Sequence, residues 1–182
     1  GLTIVYPAIP NDATGLLAAA IEDPNPVMYF EHKALYRSIS GDVYDDYFTT
    51  EIGKAKVVRE GNDLTIVTYG LGVHWAMEIL DKHKHISADL IDLRTLLPWD
   101  EKTVLDSVKR TGKVLMMHED TMTGGIGGEI TARIAEKCFQ YLDAAPVRIA
   151  ALDTAVPMSN ALEWSFLPKH RFEQALLSLS AY

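Results

Sequence analysis

Four short segments carry the side chains best suited to chemistry. His118-Glu119-Asp120 sets an imidazole beside two carboxylates at the end of an apolar run. Such a group suits acid–base work or pairing across an interface. Thr123-Gly124-Gly125-Ile126-Gly127-Gly128 follows, and its glycines leave backbone N–H groups free to hold an anion at a helix start. The lysine and hydroxyl of a phosphate-cradling loop are missing, because Glu129-Ile130 comes next. A tight turn, or close approach of another part of the chain, is the simpler use of those glycines. Gly70-Leu71-Gly72-Val73-His74-Trp75, with Asp92 further on, imitates a dinucleotide fingerprint. Trp75 stands where a third small residue would let helix and strand pack closely, which favours a plain turn. Asp23-Pro24-Asn25 ends a helix, where carbonyls carry partial negative charge and oxygen-bearing side chains add to it. A hard cation fits that chemistry, and so does an ordinary turn.

Other candidates have plainer readings. His83-Lys84-His85 ends a helix beside Lys82 and has no third metal ligand nearby, which fits a solvated basic helix end. Cys138 has no adjacent His or Arg to lower its pKa, so packing accounts for it. Tyr36-Arg37 follows an apolar run, and an arginine there can meet a carboxylate or a partner chain.

These segments need a scaffold, and the hydrophobic pattern supplies one. Residues 3–6 form a β-branched strand ended by Pro7. Asn11 or Asp12 is expected to cap a helix bearing Leu16, Leu17, Ala20 and Ile21, which Pro24 stops. Residues 27–30 are apolar throughout, the pattern of a strand buried on both faces. Residues 41–54, with Asp45-Asp46 and Gly53, break the periodicity and form a linker. Beyond it, residues 55–59 and 64–69 flank Glu60-Gly61-Asn62-Asp63, a hairpin signal. A helix over 73–83 and a strand over 88–93 follow. Asp100 then caps a helix with Val104, Leu105 and Val108 inward, and Gly112 stops it. A strand over 113–117, a helix over 129–142, a strand over 146–152 and a helix over 169–179 complete the chain. Strands alternating with helices predict a mostly parallel α/β sheet with helices on both faces. Strand order is not readable from this pattern.

The 182 residues hold 17 Lys+Arg against 25 Asp+Glu, a net charge of -8, and are 48% hydrophobic. That is ample for a core and excludes wholesale disorder. The acidic balance argues against nucleic acid, and apolar stretches such as 16–21 are too short to cross a bilayer. One cysteine forms no internal disulfide and is compatible with a reducing compartment. No targeting segment is visible. Gly1 in place of Met, with a length of one domain and a remainder, suggests a piece of a longer chain.

Taken in order, these segments resemble one family. The resemblance is carried by Gly15-Leu16-Leu17, Phe30-Glu31-His32-Lys33 leading to Leu35-Tyr36-Arg37, and residues 65–69. It continues through Ile91-Asp92-Leu93-Arg94-Thr95-Leu96-Leu97-Pro98-Trp99-Asp100, His118-Glu119 with Thr123-Gly124-Gly125, and Asp153-Thr154 before Pro157. The chain is similar to the C-terminal half of the beta subunit of thiamine-diphosphate-dependent 2-oxo acid dehydrogenases. The Leu-Tyr-Arg and Arg-Thr-x-x-Pro-Trp-Asp segments look more like the branched-chain (2-oxoisovalerate) type than the pyruvate type.

The resemblance implies that residues 1–40 are the end of a pyrimidine-binding domain, 41–54 a linker and 55–182 a transketolase C-terminal-like domain. It implies thiamine diphosphate and Mg2+ in the full enzyme, held by motifs absent here, so this piece alone is expected to be inactive. It further implies a potassium ion on the carbonyls of Ala20 and Ile21 with Asp23 and Asn25, and interface roles for Tyr36, Arg37, His118, Glu119, Thr123, Gly124 and Gly125. The implied partners are an alpha-type subunit or fused N-terminal half, a second beta copy and a lipoyl acyltransferase core, with no nucleic acid and no membrane. The implied compartment is the cytoplasm in a bacterium or the mitochondrial matrix in a eukaryote. A pyruvate or acetoin dehydrogenase beta subunit, a non-catalytic scaffold and a small nucleotide-binding domain remain as alternatives.

Overall fold

A computed structural model describes all 182 residues. Apolar residues alternating along the strands build a five-stranded sheet. Its members are β1 to β5 here: β1 (Lys56–Arg59), β2 (Leu64–Thr68), β3 (Ala88–Asp92), β4 (Val114–Thr121) and β5 (Val147–Ala151), in the order β1-β3-β2-β4-β5. All neighbours run parallel except β1, which lies antiparallel along the edge of β3. Because strand side chains alternate sides, Leu64, Ile66, Leu115 and Met117 face one layer while Val67, Val114 and Met116 face the other. Helices α1 (Leu71–Lys82) and α2 (Lys169–Ser180) close the first layer through Val73, Ile79, Leu80, Phe172 and Leu176. Helices α3 (Glu101–Thr111) and α4 (Ile126–Cys138) close the second through Val104, Val108, Ile130 and Ile134.

A smaller sheet sits beside this one. Strands β6 (Thr3–Val5) and β7 (Val27–Tyr29) pair in parallel, and β8 (Thr95–Leu97) adds to β6 antiparallel. Helix α5 (Pro10–Glu22) links β6 to β7. The opening strand–helix–strand therefore completes its sheet with a strand from the later part of the chain. Two short helices, α6 (Leu35–Ser38) and α7 (Asn160–Phe166), and the strand β8 are elements that the hydrophobic pattern did not reveal.

Three local expectations are corrected. The residues around Gly61 do not close a hairpin, since β1 pairs with β3 rather than β2. The turn is instead fastened to the start of β3: Gly61 N–H donates to Asp89 Oδ1 at 2.8 Å, and the N–H groups of Asn62 and Asp63 donate to Ser87 O. Residues 27–30 are not buried on both faces, because β7 is the edge of the small sheet, with Met28 and Phe30 exposed. Neither Asn11 nor Asp12 caps α5, which starts at Pro10 with Ile9 as its unbonded N-cap. Proline suits that first position because its missing N–H would be unsatisfied there anyway. The capping prediction at Asp100 holds: its Oδ1 accepts from Thr103 N–H at 3.2 Å, and Gly112 ends α3 with φ +69°.

Candidate functional site at the carboxyl ends of β2 and β4

The chain runs from β2 outward to β3, then crosses back to β4 on the other side of β2. Open α/β sheets bind ligands beyond the carboxyl ends of strands at such a reversal. Tyr69 follows β2 directly, and Glu119, Asp120 and Thr121 end β4. The small sheet brings Tyr6, Phe30 and Leu96 to the same place, and α7 adds Glu163 and Phe166. Together they line an open cavity of about 400 Å³. The Tyr6 ring stacks on Phe30 with centroids 6.0 Å apart and meets Tyr69 edge-on at 5.4 Å. Burial and the nearby Glu119 carboxylate push the Tyr6 phenol up to about 12. Burial first, then Asp120, Tyr6 and Glu119, push Tyr69 upward too.

The His118-Glu119-Asp120 segment does not act as a local His–carboxylate pair, because alternation along β4 sends His118 and Glu119 to opposite sides. Glu119 instead meets His32, 87 residues away in sequence, at 2.9 Å from Nε2. That hydrogen bond stabilises the imidazolium and raises the His32 pKa. Sequence reading missed His32 as a site residue because nothing local links it to Glu119. His118 points inward with 1% exposure, its Nδ1 3.1 Å from Asp120 O and its Nε2 without a partner. Burial pushes its pKa down.

The glycine-rich turn exists to accommodate that ring. A Cβ on Gly127 would lie 2.6 Å from His118 Nε2, and one on Gly125 would collide with the same imidazole. Thr123 donates both N–H (2.9 Å) and Oγ1 (2.6 Å) to the Asp153 carboxylate, whose pKa falls as a result. Gly124 is exposed, with φ +80°. At the start of α1, Gly70 gives its space to the Tyr6 ring and Gly72 to the Thr68 side chain, while Trp75 packs in the core. Neither glycine turn therefore leaves a cradle for a diphosphate.

The four candidate potassium ligands lie together at the end of α5. Pro24 has no N–H to offer Ala20 O, and Asn25 N–H turns to Asp23 Oδ1 at 2.8 Å rather than to Ile21 O. Both helix-end carbonyls are thus left without a donor from the chain, as a cation ligand requires. Asn25 Nδ2 also approaches Asp23 Oδ1 at 3.2 Å, so that one carboxylate oxygen is engaged twice. Tyr36 is exposed and donates to Glu31 Oε2 at 2.7 Å, and Arg37 is exposed beside it. His83 is tied to Glu173 at 2.7 Å, so it joins α1 to α2 instead of being merely solvated. Cys138 is buried, as packing requires, and burial raises its pKa.

A buried charged group was not foreseen. Asp12 on α5 meets Arg94 Nη1 at 3.2 Å and Lys56 Nζ at 3.3 Å. Arg94 Nε also donates to Lys54 O at 3.0 Å. Arg94 holds φ +55°, a conformation rare outside glycine and worth roughly 1–2 kcal/mol of strain. Asp92, fully buried beside them, is pushed up to about 7 by desolvation. Asp92, which only imitates the acid of a dinucleotide fingerprint, belongs to this cluster, in keeping with the plain turn at Gly70.

A mostly parallel α/β sheet with an antiparallel edge and a crevice at its strand reversal defines the class. Residues 53–171 match the family described as Transketolase, C-terminal domain, and the chain belongs to that family. A 2-oxoisovalerate dehydrogenase subunit beta of Bacillus subtilis is 43% identical over 186 residues, covering 100% of this chain and 57% of the relative. The mitochondrial 2-oxoisovalerate dehydrogenase subunit beta 2 of Arabidopsis thaliana is 42% identical, covering 100% and 51%. A pyruvate dehydrogenase E1 component subunit beta of Mycoplasma pneumoniae is 40% identical, covering 98% and 55%. The chain spans about half the length of these curated relatives and corresponds to their C-terminal half. A solved chain described as split gene transketolase, inactive beta4 tetramer, shares the fold at TM-score 0.74 and 23% identity, over 99% of this chain and 57% of that one. No helix is long and apolar enough to cross a membrane.

Proposed function

We propose that this chain is the assembly and docking half of the beta subunit of a thiamine-diphosphate-dependent 2-oxo acid dehydrogenase. The observation that carries this reading is 40–43% identity to such subunits across essentially the whole chain. The complete enzyme would decarboxylate a 2-oxo acid on the cofactor and pass the acyl group to a lipoyl arm; bound thiamine diphosphate with Mg2+ supplies the electron sink. Residues 1–40 would end the pyrimidine-binding domain, 41–54 would connect and 55–182 would form the transketolase C-terminal domain. An alpha-type subunit or fused half, a second beta copy and a lipoyl acyltransferase core are the partners, with the bacterial cytoplasm or mitochondrial matrix as the compartment. Tyr36, Arg37, Glu119, Thr123 and Gly124 are exposed or half-exposed and suit the interface role. His118 and Gly125 are buried and would act by shaping that surface from beneath.

Relatives of the 2-oxoisovalerate and pyruvate types lie within a few per cent of each other, so overall identity does not choose the substrate. The Leu35-Tyr36-Arg37 and Arg94-to-Asp100 segments resemble the branched-chain type more than the pyruvate type, and that resemblance favours a branched-chain acid. The test is dye-linked oxidation by the full-length parent with its partner subunit, thiamine diphosphate and Mg2+. Turnover that needs the cofactor and prefers branched-chain 2-oxo acids to pyruvate is expected. A folded, cofactor-loaded assembly without turnover would overturn the proposal.

Ala20, Ile21, Asp23 and Asn25 would hold potassium through oxygen ligands, which would fix the end of α5. A ligand that binds only the folded state raises its melting temperature. Melting is expected to be higher in potassium than in sodium at equal ionic strength, and equal melting would remove the site.

A further inference from the structure

We propose that the cavity at the carboxyl ends of β2 and β4 receives an arginine side chain of a partner chain, with the exposed apolar face of residues 156–164 closing over it as part of the same interface. This rests on three independent features of the molecule. The first is charge: Glu119, Asp120 and Glu163 line the cavity and no lysine or arginine does. His32 pairs with Glu119, whereas Asp120 and Glu163 form no ion pair within the chain. Two carboxylates therefore face the opening without a counter-charge, a state that disfavours any anionic occupant and favours a cation.

The second feature is the aromatic part of the same lining. Tyr6, Phe30 and Tyr69 form a three-ring aromatic surface whose mutual geometry is already set by stacking. Aromatic faces attract cations, and a guanidinium combines stacking on such a ring with paired hydrogen bonds to a carboxylate. A compact, strongly hydrated ammonium uses the aromatic wall less well, which is why arginine is favoured over lysine. The volume of about 400 Å³ falls inside the roughly 300–1,000 Å³ of ordinary binding pockets.

The third feature identifies the source of that arginine. Val156, Met158, Leu162 and Trp164 are 61–98% exposed and continue outward from Val156 and Glu163 in the cavity wall. Clustered exposed apolar side chains mark interaction surfaces, and Met158, Leu162 and Trp164 lie outside the cavity lining, where a small metabolite within it would leave them bare. Thr123 holds the base of this segment by gripping Asp153, so the segment is anchored where it leaves β5. An arginine in a desolvated pocket ringed by apolar contacts is the usual form of an interface anchor. The inference adds a specific contact to the proposed assembly role, yet its first test does not depend on that role.

The probe is N-acetylarginine methylamide, titrated into the full chain while the ring signals of Tyr6, Tyr69 and Trp164 are followed by NMR. The neutral citrulline analogue and the lysine analogue serve as controls. Saturable shifts of Tyr6 and Tyr69 with the arginine compound, weaker with lysine and absent with citrulline, are expected. Asp120→Asn with Glu163→Gln, both at the surface, should abolish them while leaving the melting temperature unchanged. Equal shifts from citrulline, undiminished binding by the double variant, or no shift at the solubility limit would each overturn the proposal. In the parent assembly, the double variant should dissociate at least tenfold more readily by sedimentation, with Trp164→Ser doing the same. A double variant whose assembly matches the wild type would remove the partner as the source and leave a small cation as the ligand. Turnover of the unaltered parent tests the dehydrogenase reading separately, so either idea can fail alone.

Discussion

At the scale of single residues, burial decides what each ionisable group does. Asp92 is the clearest case, since desolvation lifts its pKa to about 7 against the help of Arg94 N–H and the positive charges of Arg94 and Lys56. A carboxyl with a raised folded pKa contributes stability below its unfolded pKa and loses it as pH climbs through the folded one. The wild type should therefore lose stability between about pH 4 and about pH 7 through this group. Asp92→Asn keeps an oxygen to accept Arg94 N–H and removes the ionisation. Its melting temperature relative to wild type should rise steadily across that interval, and a difference independent of pH would show that Asp92 is not the titrating group. Gly127 is a steric counterpart. Its Cβ space is filled by an imidazole that is itself immobile between Asp120 O and the sheet. Gly127→Ala should cost roughly 1–3 kcal/mol by overpacking, read by denaturant unfolding, whereas Gly124→Ala meets open space and is charged only for its positive φ.

Among the elements, α3 shows how a cap becomes a junction. Asp100 Oδ1 accepts Thr103 N–H, while its Oδ2 accepts both Thr103 Oγ1–H and, at 3.2 Å, Ala55 N–H at the threshold of β1. Loss of a cap alone removes about 1 kcal/mol, and the added tie to residue 55 predicts about 2 kcal/mol for Asp100→Ala by chemical unfolding. A smaller effect would make the contact to Ala55 incidental. This helix was legible in the sequence because cap, apolar face and terminal glycine are all local signals. The strands beginning at residues 64, 88, 114 and 147 were legible for the same reason. The pairing of β1 with β3 was not, because Gly61 is directed by Asp89, a residue 28 positions on. Likewise β8 is only three residues long and exists because β6 lies beside it. The cavity was legible in part: Glu119 and Asp120 belong to a segment that stands out in the sequence. Tyr6, Phe30, Tyr69 and His32 were not among the chosen site residues, since only the topology brings them to one crevice.

Across the whole molecule, the question is what fastens the first 40 residues to the large sheet. Strand pairing between β6 and β8 supplies a few backbone hydrogen bonds. The Tyr6–Tyr69 and His32–Glu119 contacts add to this, and so do interior charges: Asp12 of α5 reaches Arg94 beside β8 and Lys56 of β1, with side chains of Asp12 and Arg94 only 5% and 13% exposed. Residues 41–54 run back along α5, with Tyr44 N–H donating to Asn11 Oδ1 and Thr50 N–H to Gly15 O. Breaking a buried pair by removing one partner leaves an uncompensated charge and costs about 3–5 kcal/mol, whereas apolar replacement of both partners is often nearly neutral. Asp12→Leu or Arg94→Met alone should therefore loosen α5, lower the melting temperature and expose residues 41–54 to rapid protease cleavage. The double variant should recover much of the lost stability, because neither charge is then left alone and the strained positive φ at residue 94 is the remaining cost. Additive losses in the double variant would mean that each residue acts through separate contacts, Arg94 on the carbonyls of residues 54 and 55 and Asp12 on Lys56, and that no single clamp joins the two sheets.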